Sequence, residues 1–179
     1  AWVRSADYDE INRINRLKDG YDLTPPAHRR SPIVAALSRV PLGKWVSPRD
    51  FFHAMKNWGL NFKVENSKFS IMRATGIGML NQLSPNVYSS LVQGRYLLVT
   101  LMEMLPAFGA IELAFTEPEI SNFPPDWSDL YYPINAAFSR YDGLQFFRVT
   151  PLGAYLLGLQ PVYSPNLSTQ RMPVIQVHP

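Results

Sequence analysis

Residues 144–158 read LQFFRVTPLGAYLLG, and residues 110–115 read AIELAF. The second stretch alternates apolar and polar side chains as a half-buried strand does. The first runs through an aromatic strand into Thr150-Pro151, where Thr150 predicts a helix cap and Pro151 a first helical position. Together they predict two strands joined by a polar excursion and closed by an abrupt short helix. Phe147, Val149, Leu152, Leu156 and Leu157 combine strand alternation with the apolar side of that helix and are expected to close the core.

Upstream, GRYLLVTLMEMLPAFG over residues 94–109 is the most apolar helical segment, and Pro106 predicts its kink or end. Further upstream, Ser31-Pro32 predicts the start of a helix through IVAALSRV, ending at Pro41. PLGKWVSPRDFFHAMKNWG then predicts a connection and a second helix, with Ser47 as cap, Pro48 at the first position, Asp50 near the positive end of the dipole and Gly59 as terminator. Phe51, Phe52, Met55 and Trp58 form its expected buried side, and Trp45 is placed as a staple of the turn. Two short helices joined by a turn are what a helix-turn-helix core requires.

The N-terminal segment carries Tyr8, Ile11, Ile14 and Leu17 at three-residue steps, with acids first, bases later and Gly20 as a stop, which predicts a narrow amphipathic helix. Residues 21–30 read as a turn-rich connection. FKVENSKFSIM allows a hairpin about Glu65-Asn66-Ser67 within an insertion at 60–83. The excursion at 116–143 holds five acids and six aromatics, which predicts an ordered flap packed on the body. From Gln160 the chain is Pro-rich until MPVIQV, a strand-like run without an internal partner. The expected organisation is therefore an N-terminal helix and connection (1–30), a main domain (31–159) and a connector or start of a following domain (160–179).

The chain has 179 residues, 46% of them hydrophobic and 13% aromatic, enough to bury one good core. No apolar run approaches the roughly 20 residues of a membrane span, and Ala-Trp-Val-Arg-Ser at residues 1–5 does not read as a signal peptide. Without cysteine there are no disulfides, thiolate nucleophiles or common zinc-finger sets. A cytoplasmic location fits, as part of a larger protein or as a small accessory subunit. The net charge of +3 is uneven. Residues 1–73 hold 13 Lys/Arg against 7 Asp/Glu (net +6), and residues 74–179 hold 4 against 7 (net −3), so an anion-facing surface belongs to the first part. The plain alternative is a solvated helical region using its charges for solubility.

His28, His53 and His178 lie far apart, with no ligand spacing between them and no G-x-S-x-G turn for a nucleophile. Gly76 and Gly78 lack the lysine and hydroxyl of a phosphate loop. Glu117, Glu119, Asp126 and Asp129 do not have calcium-loop spacing and read as solvated acids. No catalytic residue, metal, cofactor or small-molecule substrate is expected. Arg95 and Glu103 are the only charges on GRYLLVTLMEML, which is poor equipment for reading base edges. DNA or RNA would therefore be held through phosphates by Arg29, Arg30, Arg39, Lys44, Arg49 and Lys56. The competing reading is protein binding, with Phe123, Trp127, Tyr131 and Tyr132 as aromatic anchors.

Three pieces, RRSPIVAALSRVPLGKWVSPRDFFHAM, GRYLLVTLMEMLPAFGAIELAF and YDGLQFFRVTPLGAYLLG, cover somewhat over a third of the chain. In them the chain resembles winged-helix domains of bacterial multidomain proteins, including those appended to helicases. The resemblance implies an α+β, mostly helical winged-helix-like fold with an extra N-terminal helix and a long wing. It also implies a modular, non-enzymatic role. It carries over no catalytic residue, and the weakly basic would-be reading helix departs from DNA-binding members.

Overall fold

A computed structural model of the chain describes residues 2–14, 23–64, 89–118 and 139–164. It is an α+β structure. Helix α1 spans Pro26–Leu37 and α2 spans Pro48–Asn57. A continuous helical run at 89–107, α3, is wound wide at Ser89–Gly94 and Thr100–Met104 and α-helical at Arg95–Val99 and Leu105–Ala107. Strands β1 (Ile111–Phe115) and β2 (Leu144–Val149) and helix α4 (Pro151–Leu156) follow.

The sheet is a two-stranded antiparallel pair with Ile111 opposite Val149, Glu112 opposite Arg148 and Leu113 opposite Phe147. The register shifts between Ala114 and Phe115, which stand opposite Phe146 and Leu144, so the extra residue is Gln145 and the bulge lies in β2. On the other side of β2, Val46 exchanges both backbone hydrogen bonds with Phe147, at 2.8 and 3.0 Å, so the α1–α2 connection lies against the hairpin. Phe147 is fully buried and meets Phe51 of α2 edge to face, with ring centroids 5.2 Å apart. One contact thus ties the helical pair to the sheet.

Local signals explain most element ends. The Ser47 hydroxyl accepts from Asp50 N at 3.0 Å, and the Thr150 hydroxyl accepts from Gly153 N at 2.8 Å, each satisfying an orphan donor of a first turn. Gly59 ends α2 with φ +71°, a conformation that costs glycine little. Helix α3 ends at Ala107, one residue after Pro106. Gly153 lets α4 lie directly on the end of α3, because a Cβ there would stand 1.9 Å from the Ala110 carbonyl oxygen.

Several expectations differ from what the chain does. α1 begins at Pro26, five residues before Ser31, and Pro32 lies inside it. The carbonyl that Pro32 leaves without a donor belongs to His28, an exposed residue that water can serve. Where an N-terminal amphipathic helix is expected, the described residues form two 3-10 turns, Trp2–Arg4 and Glu10–Arg13, the second capped by the Asp9 side chain, and residues 15–20 lie outside the described residues. Ile11 and Ile14 nevertheless enter the core as their spacing implied; Leu17 lies outside the described residues. Trp58 and Trp45 are exposed: Arg39 lies over the Trp58 ring and Arg148 over the Trp45 ring.

The expected closure of the core holds at Phe147 and Val149 and fails at Leu156, which is 55% exposed. The buried residues of α4 are Gly153 and Ala154, the small ones that its close approach to Ala110 demands. Leu152 and Leu157 are half-buried. Leu156→Ala is accordingly expected to change stability by no more than about 0.5 kcal/mol, as exposed substitutions do. Urea denaturation of the two proteins checks this, and a loss of several kcal/mol would place Leu156 in the core after all.

The hairpin tip at 65–67 and most of the insertion at 60–83 lie outside the described residues, as do residues 119–138 of the excursion and the tail from 165. Phe62 and Val64, at the insertion's start, are buried. Their carbonyls accept from the Gln93 side-chain amide and from Thr24 N respectively. No helix among the described residues is long and apolar enough to cross a membrane.

Candidate interaction surface

The six basic residues placed on one anion-facing surface divide between the interior and the outside. Arg29 and Arg30 have no exposed surface. Arg30 Nε donates to both Glu10 oxygens at 2.9 and 3.1 Å, and its Nη1 donates to the carbonyls of Trp2 (2.8 Å) and Ser5 (2.7 Å). Its Nη2 donates to the Tyr8 carbonyl. Glu10, equally buried, also accepts from Trp2 Nε1 at 3.2 Å and from the Tyr96 hydroxyl at 2.9 Å. Burial and the adjacent Glu10 charge push the Tyr96 phenol well above its usual value, which keeps it a donor.

Arg29 Nη2 meets Asp9 Oδ2 at 2.6 Å, and the guanidinium lies over the Tyr96 ring at 5.1 Å. Its Nε and Nη1 have no hydrogen-bond partner, so ring and carboxylate alone offset its desolvation. These two arginines fasten the N-terminal arm, residues 2–14, to α1 and α3. A guanidinium enclosed in this way cannot meet a phosphate backbone, and the assignment of Arg29 and Arg30 to a nucleic-acid surface is corrected on that ground.

The other four remain outside. Arg39, Lys44 and Arg49 are exposed, and Lys56 is half-buried with its ammonium 4.6 Å from the Phe52 ring centroid. Desolvation in that position lowers the Lys56 pKa. None of the four makes an ion pair among the described residues. Arg39 stacks over Trp58 at 5.3 Å, and Arg148, from the outer face of β2, stacks over Trp45 at 4.8 Å while pairing with Glu112 at 2.6 Å. Arg148 was not among the expected surface residues. Its alternation with buried Phe147 and Val149 carried the signal, since neighbours along a strand face opposite sides.

Helix α3 is the core of this arrangement. Tyr96, Leu97, Leu98, Val99, Thr100 and Leu101 are all at 0% exposure, enclosed on every side of the helix. Arg95 is mostly buried, and burial lowers its pKa. Glu103 sits at the margin, bonded to the Tyr141 hydroxyl at 2.6 Å and to Arg140 at 3.0 Å.

Phe123, Trp127, Tyr131 and Tyr132 lie outside the described residues, with Glu119, Asp126, Asp129, Gly76, Gly78 and His178. Glu117, His28 and His53 are exposed. No three His, Cys, Asp or Glu side chains gather at metal-binding distance among the described residues. Comparison of the chain with models of known families, with curated protein sequences and with solved structures returned no match.

Proposed function

We propose that the chain is a non-catalytic, winged-helix-like interaction module of a cytoplasmic protein or complex, with protein as its main partner. The element order supports the winged-helix reading: α1, the Val46 bridge, α2, α3, then the hairpin of β1 and β2, with Val46 extending the hairpin on the side of β2. The observation that carries the functional reading is the enclosure of α3. Over Tyr96 to Leu101 the helix presents no face to a DNA groove. What the described residues expose includes two Trp–Arg pairs, Trp58 with Arg39 at the end of α2 and Trp45 with Arg148 on the outer face of β2, residue types enriched at protein interfaces.

A second reading, contact with nucleic-acid phosphates, is favoured by one observation: Arg39, Lys44, Arg49 and Lys56 carry charge without ion-pair partners among the described residues. Titration of the full chain with duplex DNA at about 0.05 M and about 0.2 M salt separates the two readings. The protein-binding reading expects no association at the higher salt and no more than weak, non-specific association at the lower. Binding that persists at about 0.2 M salt and is lost on reversing Lys44 and Arg49 to Glu would contradict it and support the phosphate reading.

A further inference from the structure

Residues 2–14 form an arm with two 3-10 turns, Trp2–Arg4 and Glu10–Arg13, laid against α1 and α3. The body grips this arm in large part by its main chain. One side chain, Arg30 of α1, donates to the carbonyls of Trp2, Ser5 and Tyr8, atoms that every residue type offers. Selection falls to the acid pair: Glu10 accepts from Arg30 Nε and from the Tyr96 hydroxyl of α3, and Asp9 accepts from Arg29. Apolar side chains flank this ionic centre. Trp2 packs against Phe108 with ring centroids 5.7 Å apart and has Arg30 over its ring, while Ile11 and Ile14 are buried at the other end.

We infer that the arm is an intramolecular ligand, and that the face of α1 and α3 beneath it is a groove for a polypeptide segment of the same chemistry: an Asp-Glu pair between a leading tryptophan and a trailing Ile-x-x-Ile. Arginines that hold carbonyls along a segment, with an acid pair setting its register, are how an acidic peptide is recognised, whereas elements of one core meet chiefly through apolar side chains. The groove floor consists of Arg29, Arg30 and the Tyr96 hydroxyl, groups that water solvates well. Vacating it therefore strands no charge on the body, unlike withdrawal of an apolar element from a core. Covalent attachment supplies the arm at high effective concentration, which keeps the groove filled in cis and closed to a competing segment until the arm leaves. This self-occupancy is independent of the partner proposed for the exposed faces.

Cutting the connection between arm and body tests this while leaving the contacts above in place. A site-specific protease sequence replaces residues 16–21 of the full chain, and the cut protein is mixed with an excess of fluorescent peptide of residues 1–14. Anisotropy is expected to show the peptide replacing the cut arm, while the uncut chain takes up little of it. Circular dichroism should keep its helical signal throughout, and replacement should run faster than global unfolding measured in urea and extrapolated to water. A peptide carrying Asp9→Asn and Glu10→Gln should bind about tenfold or more weakly. Replacement no faster than global unfolding, or loss of the helical signal as the arm leaves, would make the arm part of the core and overturn the inference. A cut arm that departs from a folded body and does not rebind would overturn it as well. Equal binding of the neutral peptide would overturn the acid pair as the recognised feature.

Discussion

Replacing Arg30 by alanine is expected to destabilise the chain by about 3–5 kcal/mol, the usual cost of leaving one member of a buried ion pair alone. Glu10 would keep its burial and lose the cation that pairs with it, while the carbonyls of Trp2, Ser5 and Tyr8 would lose the Arg30 donor. The effect should spread along the arm, because Trp2, Ile11 and Ile14 depend on the same anchoring to reach the core. The double variant Glu10→Gln/Arg30→Met removes both charges and fills the volume, and is expected to recover part of the loss. Urea denaturation of the three proteins decides the matter. A single variant within 1 kcal/mol of the parent, as an exposed arginine would give, would remove Arg30 from the interior.

Phe147→Ala is expected to cost a similar amount, about 3–5 kcal/mol, for a different reason. No charge is stranded; a cavity opens where the α1–α2 connection, α2 and the hairpin meet. The backbone bonds from Phe147 to Val46 survive the substitution, so the loss measures packing alone. The neighbouring Phe146→Ala, with its side chain on the exposed outer face, is the internal reference and should stay within about 0.5 kcal/mol. Equal losses at the two positions would mean that the strand's inner and outer faces are exchanged.

The parts of the fold legible in the sequence are those specified by neighbours along the chain. Ser47, Thr150, Gly59 and Pro106 act within a few residues, and each stands at or near the end it implied. Strand alternation likewise placed Phe147 and Val149 inside. Arg29 and Arg30 were illegible because their partners are remote: Asp9 and Glu10 lie 20 residues earlier, and Tyr96 more than 60 later. Composition and charge patterning treat a basic pair as surface, and only tertiary contact can reverse that. Leu156 failed on geometry. The helix is too short for its apolar pattern to choose a face, and the approach of Gly153 to Ala110 decides which side turns inward.

Of the candidate surface, Arg39, Lys44, Arg49 and Lys56 were visible as cations. The stacking of Arg39 on Trp58 and of Arg148 on Trp45 was not, since the second depends on which strand residue stands beside the connection.

The central claim is that α3 belongs to the core and is not a groove-reading helix. Amide hydrogen exchange of the full chain tests it most directly. The account predicts that amides from Tyr96 to Leu101 exchange slowest among the described residues. Fast exchange over Tyr96 to Leu101 would contradict it.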